Sequence, residues 1–195
     1  MARFPQAQFL LSAAAPAQFP ADSGAEVAFA GRSNAGKSSA INAIVGRQAL
    51  ARASKTPGRT RLINFFELSA GRRLVDLPGY GYASAPESER RTWPRLLEAL
   101  RQRSSLKGLF VIVDARRGIT EGDVALLEWA GPAQRAHVLL SKTDKLSRND
   151  ARRALIAAAA AVGEGVSVQL FSAHTHAGVE EAYRVLSGWL GGGEK

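Results

Sequence analysis

Eight consecutive residues, Gly31-Arg-Ser-Asn-Ala-Gly-Lys37-Ser38, have the spacing GxxxxGK[ST]. Set between a strand and a helix, such a loop is a cradle for a polyphosphate. Backbone N–H groups at a helix N-terminus point at the anion, and the helix dipole is positive there. Gly31 and Gly36 permit backbone conformations and close approaches that a Cβ would hinder. Lys37 can reach the β- and γ-phosphates, and the Ser38 hydroxyl can face Mg²⁺. Arg32, Ser33, Asn34, Ala35 and Ser39 complete the expected phosphate-binding set. The flanks suit the motif: Val27–Ala30 reads as a buried strand and Ser38–Val45 as the start of a helix. A glycine-rich turn with a chance lysine would not need either flank.

Two more constellations follow. Asp76-Leu-Pro-Gly79 comes after the apolar Leu74 and Val75, so Asp76 closes a strand. Ligand groups gather at such strand ends in doubly wound sheets. A carboxylate there can hold Mg²⁺ through a water, since Mg²⁺ keeps several waters. The Gly79 N–H can meet a γ-phosphate. Next, Ser141-Lys142-Thr143-Asp144 follows the apolar run Val138-Leu-Leu. Guanine offers two donors on one edge, and a single carboxylate can accept both. Adenine lacks them and would leave that carboxylate unpaired, which discriminates strongly. Asp144 is therefore the expected guanine reader. The Lys142 stem packs on the base, with Ser141 and Thr143 beside it. Phe171-Ser172-Ala173, after Val166–Leu170, would offer backbone N–H groups to guanine O6.

Residues so far apart need a scaffold that gathers strand ends. Apolar periodicity predicts strands over 27–30, 62–68, 73–76, 109–114, 137–141 and 167–171, and helices over 37–45, 89–103, 121–130, 148–162 and 178–190. In the second helix Trp93, Leu96, Leu97 and Leu100 share one face. Strands alternating with helices imply an α/β fold with a mostly parallel six-stranded sheet, one strand antiparallel, and helices on both faces. The antiparallel strand comes from a hairpin through Ser69-Ala-Gly71. The alanine-rich Leu155–Val162 reads as one buried helix. The expected domains are an N-terminal extension or strand over 1–24, a nucleotide-binding domain over 25–190 and a disordered tail over 191–195. The apolar Phe9–Ala15 could imitate a secretory signal, but its single preceding arginine and short length favour a strand and linker.

In this order the motifs resemble those of translation-factor-related GTPases. Gly31–Ser39, Thr56-Pro-Gly-Arg-Thr60 with Asn64-Phe-Phe66, Asp76–Gly81 and Trp93 together resemble the EngB (YihA/YsxC) family of bacterial GTPases. The resemblance spans nearly the whole chain, about residues 8 to 190. It implies a P-loop GTPase fold, GTP and GDP as ligands, and hydrolysis served by Lys37, Thr60 and Gly79. It adds Gly58 and Arg59 to the phosphate-binding residues. It also implies Thr60 as a second hydroxyl ligand of Mg²⁺ beside Ser38, with Thr56 as runner-up and Asp76 acting through water. The family is associated with large ribosomal subunit assembly, cell division and septation.

Many small GTPases place glutamine just after DxxG to orient the attacking water. Tyr80 stands there instead, so intrinsic hydrolysis should be slow, as suits a switch. Asn34 has two readings. It helps bind K⁺, as in related GTPases, or it only tolerates an awkward loop conformation. The loops at Ala49–Arg61 and Pro78–Pro86 are expected to reorder with the γ-phosphate.

Charge suggests the partner. The 195 residues carry 26 Lys and Arg against 17 Asp and Glu, a net +9. From Val27 to Phe66 there is no acidic residue, and Arg90, Arg91, Arg95, Arg101, Arg103 and Lys107 form a second cluster. Basic patches attract phosphate backbones, here those of rRNA or the large subunit. The hydrophobic content of 46% excludes a disordered chain. No cysteine is present, which rules out disulfides and suits a reducing cytoplasm. No segment nears the ~20 apolar residues of a membrane span. The expected protein is a cytoplasmic monomer. Two other readings remain at this level: a P-loop ATPase or small-molecule kinase, and a non-catalytic nucleotide-dependent rRNA-binding module.

Overall fold

Strict alternation builds the centre of the molecule. In β2 (Ala25–Gly31), Val27 and Phe29 join one apolar core while Ala28 and Ala30 join the other. In β5 (Leu106–Asp114), Phe110 and Ile112 face the first core and Leu109, Val111 and Val113 the second. Strands buried on both faces need helices on both sides. The computed structural model describes residues 3–51, 62–80, 87–131 and 134–191, with backbone alone at 87–92.

The remaining strands are β1 (Gln8–Ala13), β3 (Ile63–Ser69), β4 (Arg72–Asp76), β6 (Arg135–Ser141) and β7 (Val166–Leu170). They form one sheet in the order β1-β3-β4-β2-β5-β6-β7. Helices α1 (Lys37–Val45) and α5 (Val179–Trp189) cover the first core. Helices α2 (Glu87–Arg101), α3 (Glu121–Ala130) and α4 (Arg148–Ala161) cover the second. Leu96 and Leu100 of α2 are buried there, with Trp93 and Leu97 packed alongside. Strand β3 is antiparallel to both neighbours and is the antiparallel strand the hairpin pattern predicts.

The sheet has seven strands rather than the expected six. The extra one is β1, paired to β3 at the sheet edge. Phe9 and Leu10 remain exposed on it, so it shows no buried alternation. The ladder to β3 and an edge-to-face contact of Phe9 with Phe66 hold it. Helix α4 also departs from expectation. It packs chiefly on the edge strand β7. Only one face therefore meets the core: Ala151 and Ala158 are buried, and Ile156 is 61% exposed.

One expected surface cation lies inside. Arg103 donates to fully buried Glu26 at 2.7 and 2.9 Å, and to the Pro20 and Ala21 carbonyls. Arg73 donates to the same carboxylate at 2.8 Å. Arg101 is paired with Glu98. The second basic cluster is thus partly spent on internal pairs. The Arg90 and Arg91 side chains, and Arg52, Lys55, Arg59 and Arg61, lie outside the described residues.

Candidate functional site

β2, β4, β5, β6 and β7 end on one side of the sheet, at Gly31, Asp76, Asp114, Ser141 and Leu170. The loop from Gly31 leads directly into α1. A Cβ on Gly31 would stand 2.6 Å from the Ile112 carbonyl oxygen, so β5 admits only glycine there. Gly36 has φ +99°, a conformation open to glycine. Asn34 has φ +64°, in the left-handed region that asparagine tolerates better than most residues. That conformation by itself accounts for an asparagine at this position. Ser33 and Ala35 lie in the loop, Ser38 in the first turn of α1, and Ser39 on its exposed side.

Lys37 Nζ is ion-paired with Asp76 Oδ1, and both side chains are nearly buried. The expected phosphate-reaching ammonium and the expected magnesium carboxylate thus meet at one point, with Ser38 adjacent in sequence. Hydroxyl and carboxylate oxygens suit Mg²⁺. No group of three His, Cys, Asp or Glu fit to hold a metal occurs among the described residues. A divalent ion here would share oxygens with phosphates and water, the usual habit of Mg²⁺. Gly58, Arg59 and Thr60, with Thr56, lie outside the described residues.

The peptide after Asp76 is fastened to the phosphate loop. Leu77 N–H donates to the Phe29 carbonyl at 2.9 Å, and Ser33 N–H to the Tyr80 carbonyl at 3.0 Å. A Cβ on Gly79 would come within 3.1 Å of Ser33 Cα, so this close passage favours glycine. The Tyr80 hydroxyl donates to Asp123 Oδ1 in α3. Oδ2 of Asp123 accepts from Thr120 N–H at 2.8 Å and its hydroxyl at 2.6 Å, which caps α3. Burial, together with this carboxylate, pushes the Tyr80 phenol well above its ordinary range.

At the end expected to read guanine, Asp144 Oδ1 accepts from the buried Ser172 hydroxyl at 2.7 Å. That hydrogen bond, then Lys145, holds the Asp144 carboxyl below its ordinary value. The neighbours differ from expectation. The Ser141 hydroxyl donates to the Ala35 and Val113 carbonyls, and the Thr143 hydroxyl to Phe171 O at 3.0 Å. Both side chains therefore brace the loops. Phe171 N–H donates to Leu140 O and Ser172 N–H to Ala177 O. Of the three amides expected to face guanine O6, only that of Ala173 has no acceptor among the described residues.

Sequence reasoning passed over Asp114. It is 6% exposed at the end of β5. It accepts from Arg116 Nε at 2.9 Å and Nη2 at 2.7 Å, and from Lys142 Nζ at 3.0 Å. Lys142 Nζ also donates to the Asn34 carbonyl. One ammonium therefore bridges β5, the loop after β6 and the phosphate loop. The Arg116 guanidinium, ahead of the Lys142 ammonium, holds the Asp114 carboxyl well below the carboxylate range. The available signal was its position at a strand's C-terminal end, the same signal that marked Asp76.

Fold and site together define a P-loop GTPase. Residues 26–142 match the family model described as 50S ribosome-binding GTPase. The chain is 53% identical to the probable GTP-binding protein EngB of Azoarcus sp. (strain BH72), over 97% of this chain and 94% of that protein. It belongs to the EngB family of GTP-binding proteins. In fold it is similar to a crystal structure of a probable GTP-binding protein engB, with TM-score 0.68 at 22% identity over 85% of this chain and 98% of that one. It is also similar to Era in complex with MgGDPNP and nucleotides 1506-1542 of 16S ribosomal RNA, with TM-score 0.61 at 18% identity over 89% and 59%. The family removes the ATPase, kinase and non-catalytic readings. No described helix is long and apolar enough to cross a membrane.

Proposed function

We propose that this GTPase is a cytoplasmic, monomeric nucleotide switch in large ribosomal subunit assembly, needed for normal cell division and septation. The observation that carries the switch reading is Tyr80. Its hydroxyl donates to Asp123, so the residue after DxxG has no free side-chain donor to orient a water. Slow intrinsic turnover and dependence on a partner follow. The ribosomal reading is supported by the family model's description and by the +9 net charge. The division role rests on the family resemblance alone.

In this reading the amides of Arg32–Ser39 cradle the phosphates, and Lys37 leaves Asp76 for the β- and γ-phosphates. Asp76, through water, and the hydroxyls of Ser38 and Thr60 hold Mg²⁺. The bound ion neutralises charge that develops on the phosphate oxygens. Gly79 N–H meets the γ-phosphate. Gly58 and Arg59 complete the phosphate-binding set. Asp144, oriented by Ser172, reads guanine, while Lys142 packs on the base and Ala173 N–H meets O6. If Asn34 also binds K⁺, hydrolysis should slow when NaCl replaces KCl at fixed ionic strength; equal rates would remove that role.

The test is co-sedimentation with ribosomal subunits. Large-subunit binding should be stronger with a non-hydrolysable GTP analogue than with GDP. Binding indifferent to the nucleotide would refute the switch, and absence of binding would refute the ribosomal partner.

A further inference from the structure

A second cleft, of about 130 Å³, opens on the outer flank of the phosphate loop. Its lining includes Arg32–Ala35 but not Gly36, Lys37, Ser38 or Asp76, so it stands apart from the Lys37–Asp76 pair. Arg32, Arg116 and Arg117 bring three cations to it beside Lys142, which the proposed function gives to the base, against Asp114 and Asp123. Both anions are already spent. Asp114 is held by Arg116 and Lys142, and Asp123 by Tyr80 and Thr120. Among the described residues, Arg32 and Arg117 have no ion-pair partner, and both are exposed. Arg116 is 48% exposed while Asp114 grips two of its nitrogens, which fixes the plane of its guanidinium.

We infer that this cleft docks a phosphodiester of an RNA backbone, an assignment that rests on the ribosomal reading above. Guanidinium groups present paired donors that match phosphate oxygens, and a pre-oriented one loses little entropy on binding. The lining has no large aromatic or aliphatic anchor of the kind that dominates protein–protein contacts. The cleft has room for a phosphate group. The cleft also shares Asp123 with Tyr80, the residue after Gly79, so a nucleotide-driven shift of Gly79 reaches its wall.

The test uses the full-length protein saturated with GDP, so that the phosphate loop is filled, and a labelled oligouridine read by anisotropy over a salt series. Arg117→Ala should lower the log–log salt slope by about 0.7, the contribution of one single-strand phosphate contact. Arg117→Glu should weaken RNA binding by about tenfold or more. GDP affinity and thermal midpoint should stay at wild-type values, and Arg152→Glu on α4 should leave RNA binding unchanged. Wild-type RNA binding that Arg117→Glu does not alter overturns the cleft assignment while sparing the ribosomal reading. Wild type that binds neither oligouridine nor subunits overturns that reading instead. Displacement of RNA by inorganic phosphate at low concentration would assign the cleft to free phosphate. Equal, Arg117-dependent binding of polyglutamate would assign it to an acidic protein.

Discussion

Replacing Asp114 by Asn keeps the side chain's shape and removes its charge. The amide oxygen can still accept from the Arg116 backbone N–H, 3.1 Å away in the native protein. The Arg116 guanidinium is half in water and can resolvate. Lys142, 31% exposed, loses one of its two acceptors and keeps the Asn34 carbonyl. A hydrogen bond to a charged group contributes about 1.5–3 kcal/mol, and partial exposure brings this to about 1 kcal/mol. Nucleotide affinity should therefore fall about fivefold. GDP and GTP should suffer alike, because Lys142 serves the base side of the site. Fluorescent-nucleotide titrations read the effect, and a cycle with Lys142→Ala isolates its route. In the Lys142→Ala background Asp114→Asn should cost almost nothing more. A full additional loss there, or unchanged affinity with a lowered thermal midpoint, would refute the strut. The sign with pH follows from the depressed carboxyl. Its contribution is present above the unfolded value near 3.8 and is lost only as pH falls toward the lower folded value.

Asp144→Asn should weaken GTP binding roughly ten- to a thousandfold and restore affinity for xanthosine triphosphate, whose O2 suits the new amide; unchanged GTP affinity in a titration would remove Asp144 as base reader. Tyr80→Phe should lower stability by about 1–2 kcal/mol in denaturant unfolding, through loss of the bond to buried Asp123, yet change single-turnover hydrolysis less than tenfold. A larger rate change would give Tyr80 a part in the chemistry. His137 is buried between Ser167 Oγ at 2.6 Å and Gln169 Oε1 at 2.8 Å, and burial lowers its pKa. Its neutral form therefore stabilises the fold above pH 6.5, and that part is lost as pH falls, by at most about 1.4 kcal/mol per unit. Chemical unfolding of His137→Gln should show a shallower loss below pH 6.5.

Much of the site was legible because its chemistry is local in sequence. A phosphate loop declares itself through glycine spacing, and Asp76 and Asp144 each follow an apolar strand. What stayed hidden was made by distant partners. The β5–β6 register sets Asp114 opposite Ser141 and so beside Lys142, which no local pattern shows. Arg103 reads as a surface cation until Glu26, 77 positions earlier, draws it inward. Tyr80 finds Asp123 across 43 residues. Ser141 and Thr143 stand at the right place, yet their hydroxyls belong to neighbouring carbonyls. Strand β1 is legible as an N-terminal strand, but its place in the sheet is not, because it lacks buried alternation and takes its register from β3, as in the pairing of Gln8 with Glu67.

The same long reach shapes how the chain is made. The phosphate-loop residues have all left the ribosome with α1, but Tyr80, Ser141 and Lys142, which hold that loop, and Ser172, which orients Asp144, emerge later. A nascent chain therefore carries the phosphate-loop residues long before the groups that brace that loop and Asp144. At about 5–20 residues per second, the interval from Ser38 to Ser172 is roughly 7 to 27 seconds. A guanine nucleotide that binds the folded state would in turn stabilise the docking of β7.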